Sequence, residues 1–243
     1  MVEKKVILVS SLLLLLGLTL GNLATLIYQK TSAEPLQRLQ NYEHTVNAKF
    51  VAVDEQGNGV VADLVTEVRE GQGLVLVNVN NVLADVTTQY SARLATAVAS
   101  NYTQIDVSNL DIIYNLKSEA GVVAGQSAGS IMAVSTIAAL QNKQLRQDVI
   151  ITGSINQEGD VVDAGGLRAK AEAARKGQAK LFLVPKGSGS MMLNLTKTEQ
   201  CGVYGEKIYC MINYPGELMS VGEEFGIEVV EVETVAEAMR YFL

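Results

Sequence analysis

Two regimes of hydrophobic pattern follow one another along the chain. The first is unbroken: from Val6 to Tyr28 no residue is charged, and Leu12 to Leu16 are consecutive leucines. As a helix this stretch is apolar all round and about 35 Å long, enough for a bilayer core of about 30 Å. A cleaved signal peptide is the rival reading, with small residues at Thr31-Ser32-Ala33, but the apolar region of such peptides runs only about 7–15 residues. An uncleaved single-pass anchor over residues 1–28 is therefore expected. Residues 29–46 are polar, carry Pro35 and His44, and read as a tether in which His44 is solvated.

From Asn47 the pattern changes to short runs. Lys49–Val53 and Val60–Val68 read as strands about the turn Asp54–Gly59, and Gly73–Val79 as a third strand. Ala84–Ala99 has helical spacing, with Val86, Tyr90, Leu94, Ala97 and Val98 on one side. Leu110–Leu116 is a strand, Lys117–Gln126 a loop, and Ser127–Leu140 a helix. Strands follow at Val149–Ile155 and Val161–Val162, a helix at Leu167–Lys176, and a strand at Leu181–Val184 that Pro185 ends. Gly187–Ser190 reads as a flexible loop and Met191-Met192 as packing; Glu228–Val232 and Val235–Phe242 are the last strand and helix. Strands outnumber helices but alternate with them, which predicts one mixed α/β (α+β) domain over residues 47–243.

Composition narrows the function. The chain has 243 residues, is 48% hydrophobic and only 19% charged, and so suits a packed core. Its net charge of −7 and pI near 4.9 argue against a nucleic-acid partner. No Gly-x-x-x-x-Gly-Lys-Ser/Thr run and no His-Glu-x-x-His occur, and with two cysteines and one histidine no metal or cofactor is expected. Cys201 and Cys210 flank a hairpin about Gly205-Glu206; in that register Tyr204 faces Lys207 and a cross-strand disulfide is open to the two cysteines. Such a bond would suit an oxidising compartment. Both readings of the amino-terminal segment send the domain out of the cytoplasm, where Asn101-Tyr102-Thr103 and Asn194-Leu195-Thr196 would be glycosylation acceptors.

A serine triad needs a histidine, and the only one, His44, falls in the tether. A serine nucleophile here must rely on another base, and lysine is the attested substitute. Ser127, in Gly125-Gln126-Ser127-Ala128-Gly129-Ser130, sits at a loop-to-helix junction. The first N–H groups of a helix lack internal partners and are suited to an oxyanion. The same position also suits a plain helix N-cap, and the motif alone leaves both roles open.

The stretch from Gly121 to Lys186 resembles the proteolytic domain of Lon proteases. Gly125-Gln126-Ser127-Ala128-Gly129 matches the nucleophile loop, Thr152-Gly153-Ser154 the strand that follows, Gly165-Gly166-Leu167-Arg168-Ala169-Lys170 the lysine helix, and Leu181–Lys186 the strand after it. Ser127 and Lys170 are 43 residues apart, the family spacing. The resemblance implies Ser127 as nucleophile and Lys170 as general base. Thr152 would hydrogen-bond the lysine, and Gln126, Ala128 and Gly129 would support the loop. Thr-Gly-Ser resembles the archaeal membrane-anchored branch. Gln126 departs from the family, where Pro or Asp is usual. So does the segment ahead of the domain, where Lon proteases carry an AAA+ ATPase and this sequence shows an anchor and tether. A lysine base near neutrality also needs its pKa brought from about 10.4 to about 7–8, which burial among small apolar neighbours can do.

These readings give a membrane-anchored serine endopeptidase that cuts unfolded or flexible polypeptides without its own ATPase. The resemblance further implies a homo-oligomer, hexameric in the family. A Lon-like binding or assembly module without activity is the alternative, with a GHMP-type small-molecule kinase behind it.

Overall fold

The computed structural model describes residues 43–78, 83–118, 122–123, 125–193, 198–205, 207–213 and 217–243. The chain divides into two units after Asn41, and the described residues all belong to the second. The expected anchor Val6–Tyr28 lies outside them. No helix among the described residues is long and apolar enough to cross a membrane.

Strands β1 (Glu43–Val53) and β2 (Gly59–Glu70) form a long hairpin with Val51 opposite Val61. Alternation buries Val46, Ala48 and Phe50 of β1 and Ala62, Leu64, Thr66 and Val68 of β2 on one face. Next come β3 (Val75–Asn78), β4 (Leu83–Ala84), helix α1 (Val86–Thr103) and β5 (Leu110–Lys117). The sheet order is β1-β2-β5-β3; only the β3–β5 pair is parallel, and α1 makes its crossover. Short β6 (Val122–Val123) runs parallel to β4. A 3₁₀ turn, Gln126–Ala128, then enters α2 (Gly129–Leu140).

Helix α2 is the centre of the core, and every one of its residues is buried. It carries no charge, as a helix buried on all sides must not. Two of its hydroxyls are matched inside: Ser135 Oγ lies 2.7 Å from Thr66 Oγ1, and Thr136 Oγ1 lies 2.6 Å from the Tyr114 hydroxyl, whereas the buried Ser130 Oγ meets no partner among the described residues. Tyr114 also meets Thr96, and burial pushes its phenol up to about 12. Each such group left unpaired would cost about 1–3 kcal/mol.

The second half builds a parallel sheet. Strand β7 (Val149–Ile151) leads to β8 (Ser154–Ile155) and β9 (Val161–Asp163), an antiparallel pair, then to α3 (Leu167–Lys176) and β10 (Leu181–Pro185). Four strands follow: β11 (Ser190–Leu193), β12 (Thr198–Tyr204), β13 (Lys207–Asn213) and β14 (Glu217–Ser220). The chain ends with α4 (Val221–Phe225), β15 (Glu228–Val232) and α5 (Val235–Phe242). The parallel order is β15-β10-β7. Strands β11 and β14 pair, as do β12 and β13, with Cys201 opposite Cys210 and the two joined in a disulfide.

Several expectations need correction. Strand β1 starts at Glu43, so residues 43–46 are strand rather than tether, and half-buried His44 holds the Ala139 carbonyl through Nδ1 at 2.9 Å. On α1 the expected side holds in part: Val98 is buried and Leu94 packs on the core, but the rest of the buried face is small or hydroxyl residues, among them Ser91, Ala92, Ala95 and Ala99, while Val86 and Tyr90 are 78% and 54% exposed. Close approach of α1 to α2 favours small side chains over large ones at that contact. The run read as one strand, Val149–Ile155, is broken at Thr152-Gly153, where Gly153 has φ +152. The loop at Gly187–Ser190 is held, since Gly187 and Gly189 N–H donate to the Glu231 carboxylate at 2.9 and 2.7 Å.

Helix α3 rests directly on the β1–β2 hairpin. A Cβ on Gly59 would lie 1.8 Å from the Ala169 carbonyl oxygen. Gly59→Ala should therefore push hairpin and helix apart and destabilise by about 1–3 kcal/mol, the usual range for overpacking. Urea unfolding measures this, and a loss below about 0.5 kcal/mol would show that the contact yields freely.

Candidate active site

The structure brings Ser127, Lys170 and Thr152 together. Lys170 Nζ lies 2.6 Å from Ser127 Oγ and 3.1 Å from Thr152 Oγ1. The three come from separate elements: the 3₁₀ turn before α2, the buried face of α3, and the break between β7 and β8.

Each side chain is placed by local sequence. Gly125 takes φ +109, which only glycine adopts at ease, and so turns the chain sharply into the 3₁₀ turn. Ser127 follows, half-buried, with its carbonyl accepting the Gly153 N–H at 2.9 Å; Ser130 N–H returns a bond to the Gly153 carbonyl at 3.0 Å. This backbone pair fixes the serine turn to the residue after Thr152. A Cβ on Gly153 would meet Val161 Cγ1 at 2.5 Å, so the break in the strand also needs glycine. Thr152 is 1% exposed, and its N–H bonds Leu183 of β10.

The lysine helix opens at Gly166, with φ +66, and its buried face is Lys170, Ala171, Ala173 and Ala174. Alanines there let the helix sit close to the sheet, and Lys170 is left 4% exposed. Desolvation lowers its pKa from 10.5 to about 8, against the Asp163 carboxylate, which raises it. A buried amine whose described hydrogen bonds go to two hydroxyls is poised to lose its proton near neutrality.

Ser127 and Lys170 open onto a cleft of about 460 Å³, also lined by Val53, Gln126, Ser154 and Asp163. Gln126 is exposed, and its carbonyl accepts the Gly129 N–H, while Ala128 is buried. Gly129 has an ordinary helical backbone; a Cβ there would lie 3.3 Å from Ile155. The Gly129 and Ser130 N–H groups are engaged by the Gln126 and Gly153 carbonyls, so neither is free to receive an oxyanion.

One positioning residue escaped the sequence reading. Asp85 caps α1 by accepting the Thr88 N–H at 2.8 Å, and its carboxylate also takes the Thr87 hydroxyl and faces the Gly125 N–H. Desolvation pushes this carboxyl up, but those hydrogen bonds outweigh it and hold it below the usual range. Asp85 thus links the start of α1 to the start of the Ser127 turn. The available signal was an aspartate directly before Val86-Thr87-Thr88, an N-cap pattern. Starting the helix at Ala84 hid it.

Residues 49–200 match the family model of the Lon protease (S16) C-terminal proteolytic domain. Among curated proteins, the chain is 34% identical over 109 residues to an archaeal Lon protease of Thermococcus kodakarensis, covering 44% of this chain and 17% of that protein. It is 27% identical over 187 residues to the archaeal Lon protease of Thermoplasma acidophilum, 76% of this chain and 24% of the relative. For Thermoplasma volcanium the figures are 35% over 130 residues, 53% and 20%. The chain thus spans about a quarter or less of the length of these relatives.

Asp85→Ser should separate cap from tie. One hydroxyl can still cap Thr88 but cannot also hold Gly125. Stability should stay within about 1 kcal/mol of wild type, while the Gly125 amide exchanges faster with solvent and peptide turnover falls about tenfold or more. Unchanged exchange at Gly125 would contradict the tie.

Proposed function

Because this chain belongs to the Lon protease (S16) proteolytic-domain family, we propose that it is a serine endopeptidase that cuts polypeptides through Ser127 and Lys170. The observation that carries this reading is the 2.6 Å contact between Lys170 Nζ and Ser127 Oγ in a site where burial has lowered the lysine. In its neutral form the amine accepts the serine proton as Oγ attacks the scissile carbonyl carbon. The resulting oxyanion meets backbone donors of the 3₁₀ turn. The ammonium then gives its proton to the departing amine, the C–N bond breaks, and an ester on Ser127 remains. Lys170 next takes a proton from water, which attacks the ester; returning that proton to Oγ frees the acid and restores the serine. Thr152 accepts an N–H of the lysine and so orients its lone pair toward Oγ.

The chemistry of Ser127 and Lys170 consumes no nucleotide, so the substrates of this reading are flexible or unfolded segments that reach the cleft and are cut without ATP. The charge-free run Val6–Tyr28 supports a single-pass anchor that holds the domain at a membrane on its extracytoplasmic side. The exposed Cys201–Cys210 disulfide suits that oxidising location. The likeness to Lon proteolytic domains supports self-association into a ring, which sedimentation of the detergent-solubilised full chain measures. A species that stays monomeric at all concentrations would contradict it.

Ser127→Ala and Lys170→Ala should each lower casein and peptide cleavage by about a thousandfold or more, and the double variant should be no worse than either. Turnover should rise with pH through about 8 and level off above it, because the neutral amine is the active form and burial sets its midpoint. Substantial activity in Lys170→Ala at neutral pH, or a rate constant from pH 5 to 9, would refute the dyad.

A further inference from the structure

Deprotonation of Lys170 changes the charge of the whole cleft. Of the residues that line it, two ionise, Lys170 and Asp163; the others are alanine, valine, glycine, glutamine and serine. Asp163 ends β9 opposite Ser154, with its side chain exposed toward solvent, and among the described residues no ion pair engages it. Its charge acts on Lys170. While the amine is protonated the two charges offset one another. In the form that attacks substrate the amine is neutral, and the cleft keeps one uncompensated carboxylate beside the nucleophile.

The surroundings do not cancel it. Val53, in the lining, is followed in the β1–β2 turn by Asp54 and Glu55, so that neighbouring turn supplies no cation there. Arg168, at the start of the helix that follows Gly166, is already held by Glu224 at 2.5 Å. A cation that enters with the substrate is therefore the complement this cleft lacks.

We propose that Asp163 is a specificity-determining residue that makes the cleft favour polypeptide segments with a lysine or arginine beside the scissile bond. This rests on the endopeptidase reading of the same site. A substrate cation would pair with Asp163 while Ser127 attacks, and a substrate glutamate or aspartate would meet like charge. The alternative role for Asp163, acting only on Lys170, would scale the cleavage of every peptide alike. A ratio between substrates is therefore what distinguishes the two.

The test uses the full chain in detergent and matched quenched-fluorescence peptides that differ at one position, lysine, glutamine or glutamate, placed in turn on each side of the cut. At one or more positions adjoining the cut, wild type should show kcat/KM higher for lysine than for glutamine by about three- to fivefold, the range of a partly exposed ion pair. Glutamate should be cleaved more slowly than glutamine, and added salt should shrink both differences. Asp163→Asn should bring the three peptides together, and Asp163→Lys should reverse the order. Equal cleavage of all three by wild type at every position would overturn the inference while leaving the endopeptidase reading intact, as would an unchanged lysine preference in Asp163→Asn. If wild type cuts no peptide faster than Ser127→Ala does, the endopeptidase reading falls and this inference with it.

Discussion

A lysine amine shut away from water beside two hydroxyls is the constraint on which the rest of the site depends. Lys170 is 4% exposed, and its described partners are Ser127 and Thr152. A pKa lowered from 10.5 to about 8 corresponds to about 3 kcal/mol of preference for the neutral amine. That same preference weighs on the fold. It is felt in full below the folded value, where the buried amine is charged, and fades as pH rises toward 10.5. The core must supply that stability from elsewhere, and the apolar helix α2 and the strands packed around it, chiefly the antiparallel β1, β2 and β5, are where it lies.

The geometry of the surrounding elements follows from keeping the amine dry and within reach of the serine. Small residues do this at each contact: Gly59 under the Ala169 carbonyl, Gly166 against Val53, and alanines along the inner face of α3. Larger side chains would lift the helix and admit water. The Ser127 turn is restrained from two directions, by backbone bonds to Gly153 and by the Asp85 carboxylate at Gly125. Neither restraint touches the reacting atoms, yet both set where the hydroxyl sits relative to the amine.

Much of this was legible in one sequence. The helix Leu167–Lys176, the strand ending at Pro185 and the register of the Cys201–Cys210 hairpin were read from periodicity and turn chemistry, and all three stand. The Ser127–Lys170 contact was not visible to periodicity; it came from the spacing of family motifs, which records a three-dimensional contact that local pattern cannot. The misreadings share a cause. On α1 the side expected to face inward holds at Leu94 and Val98 but not at Val86 and Tyr90, because helix packing turned the small residues Ala92, Ala95 and Ala99 to the core. The strand Val149–Ile155 looked continuous because its apolar run is, and only the backbone at Gly153 breaks it. Asp85 went unremarked because its partner, Gly125, lies far along the chain.

Titration of the lysine itself tests the central claim most directly. The full chain, with its lysines labelled at the ε carbon and Lys170 assigned by comparison with Lys170→Met, can be followed by NMR across pH. The account predicts one lysine with a midpoint near 8, absent from the variant and well below the ordinary lysine value of about 10.4. A Lys170 resonance with that ordinary midpoint would contradict it, because an amine that stays charged at neutral pH cannot take the proton of Ser127.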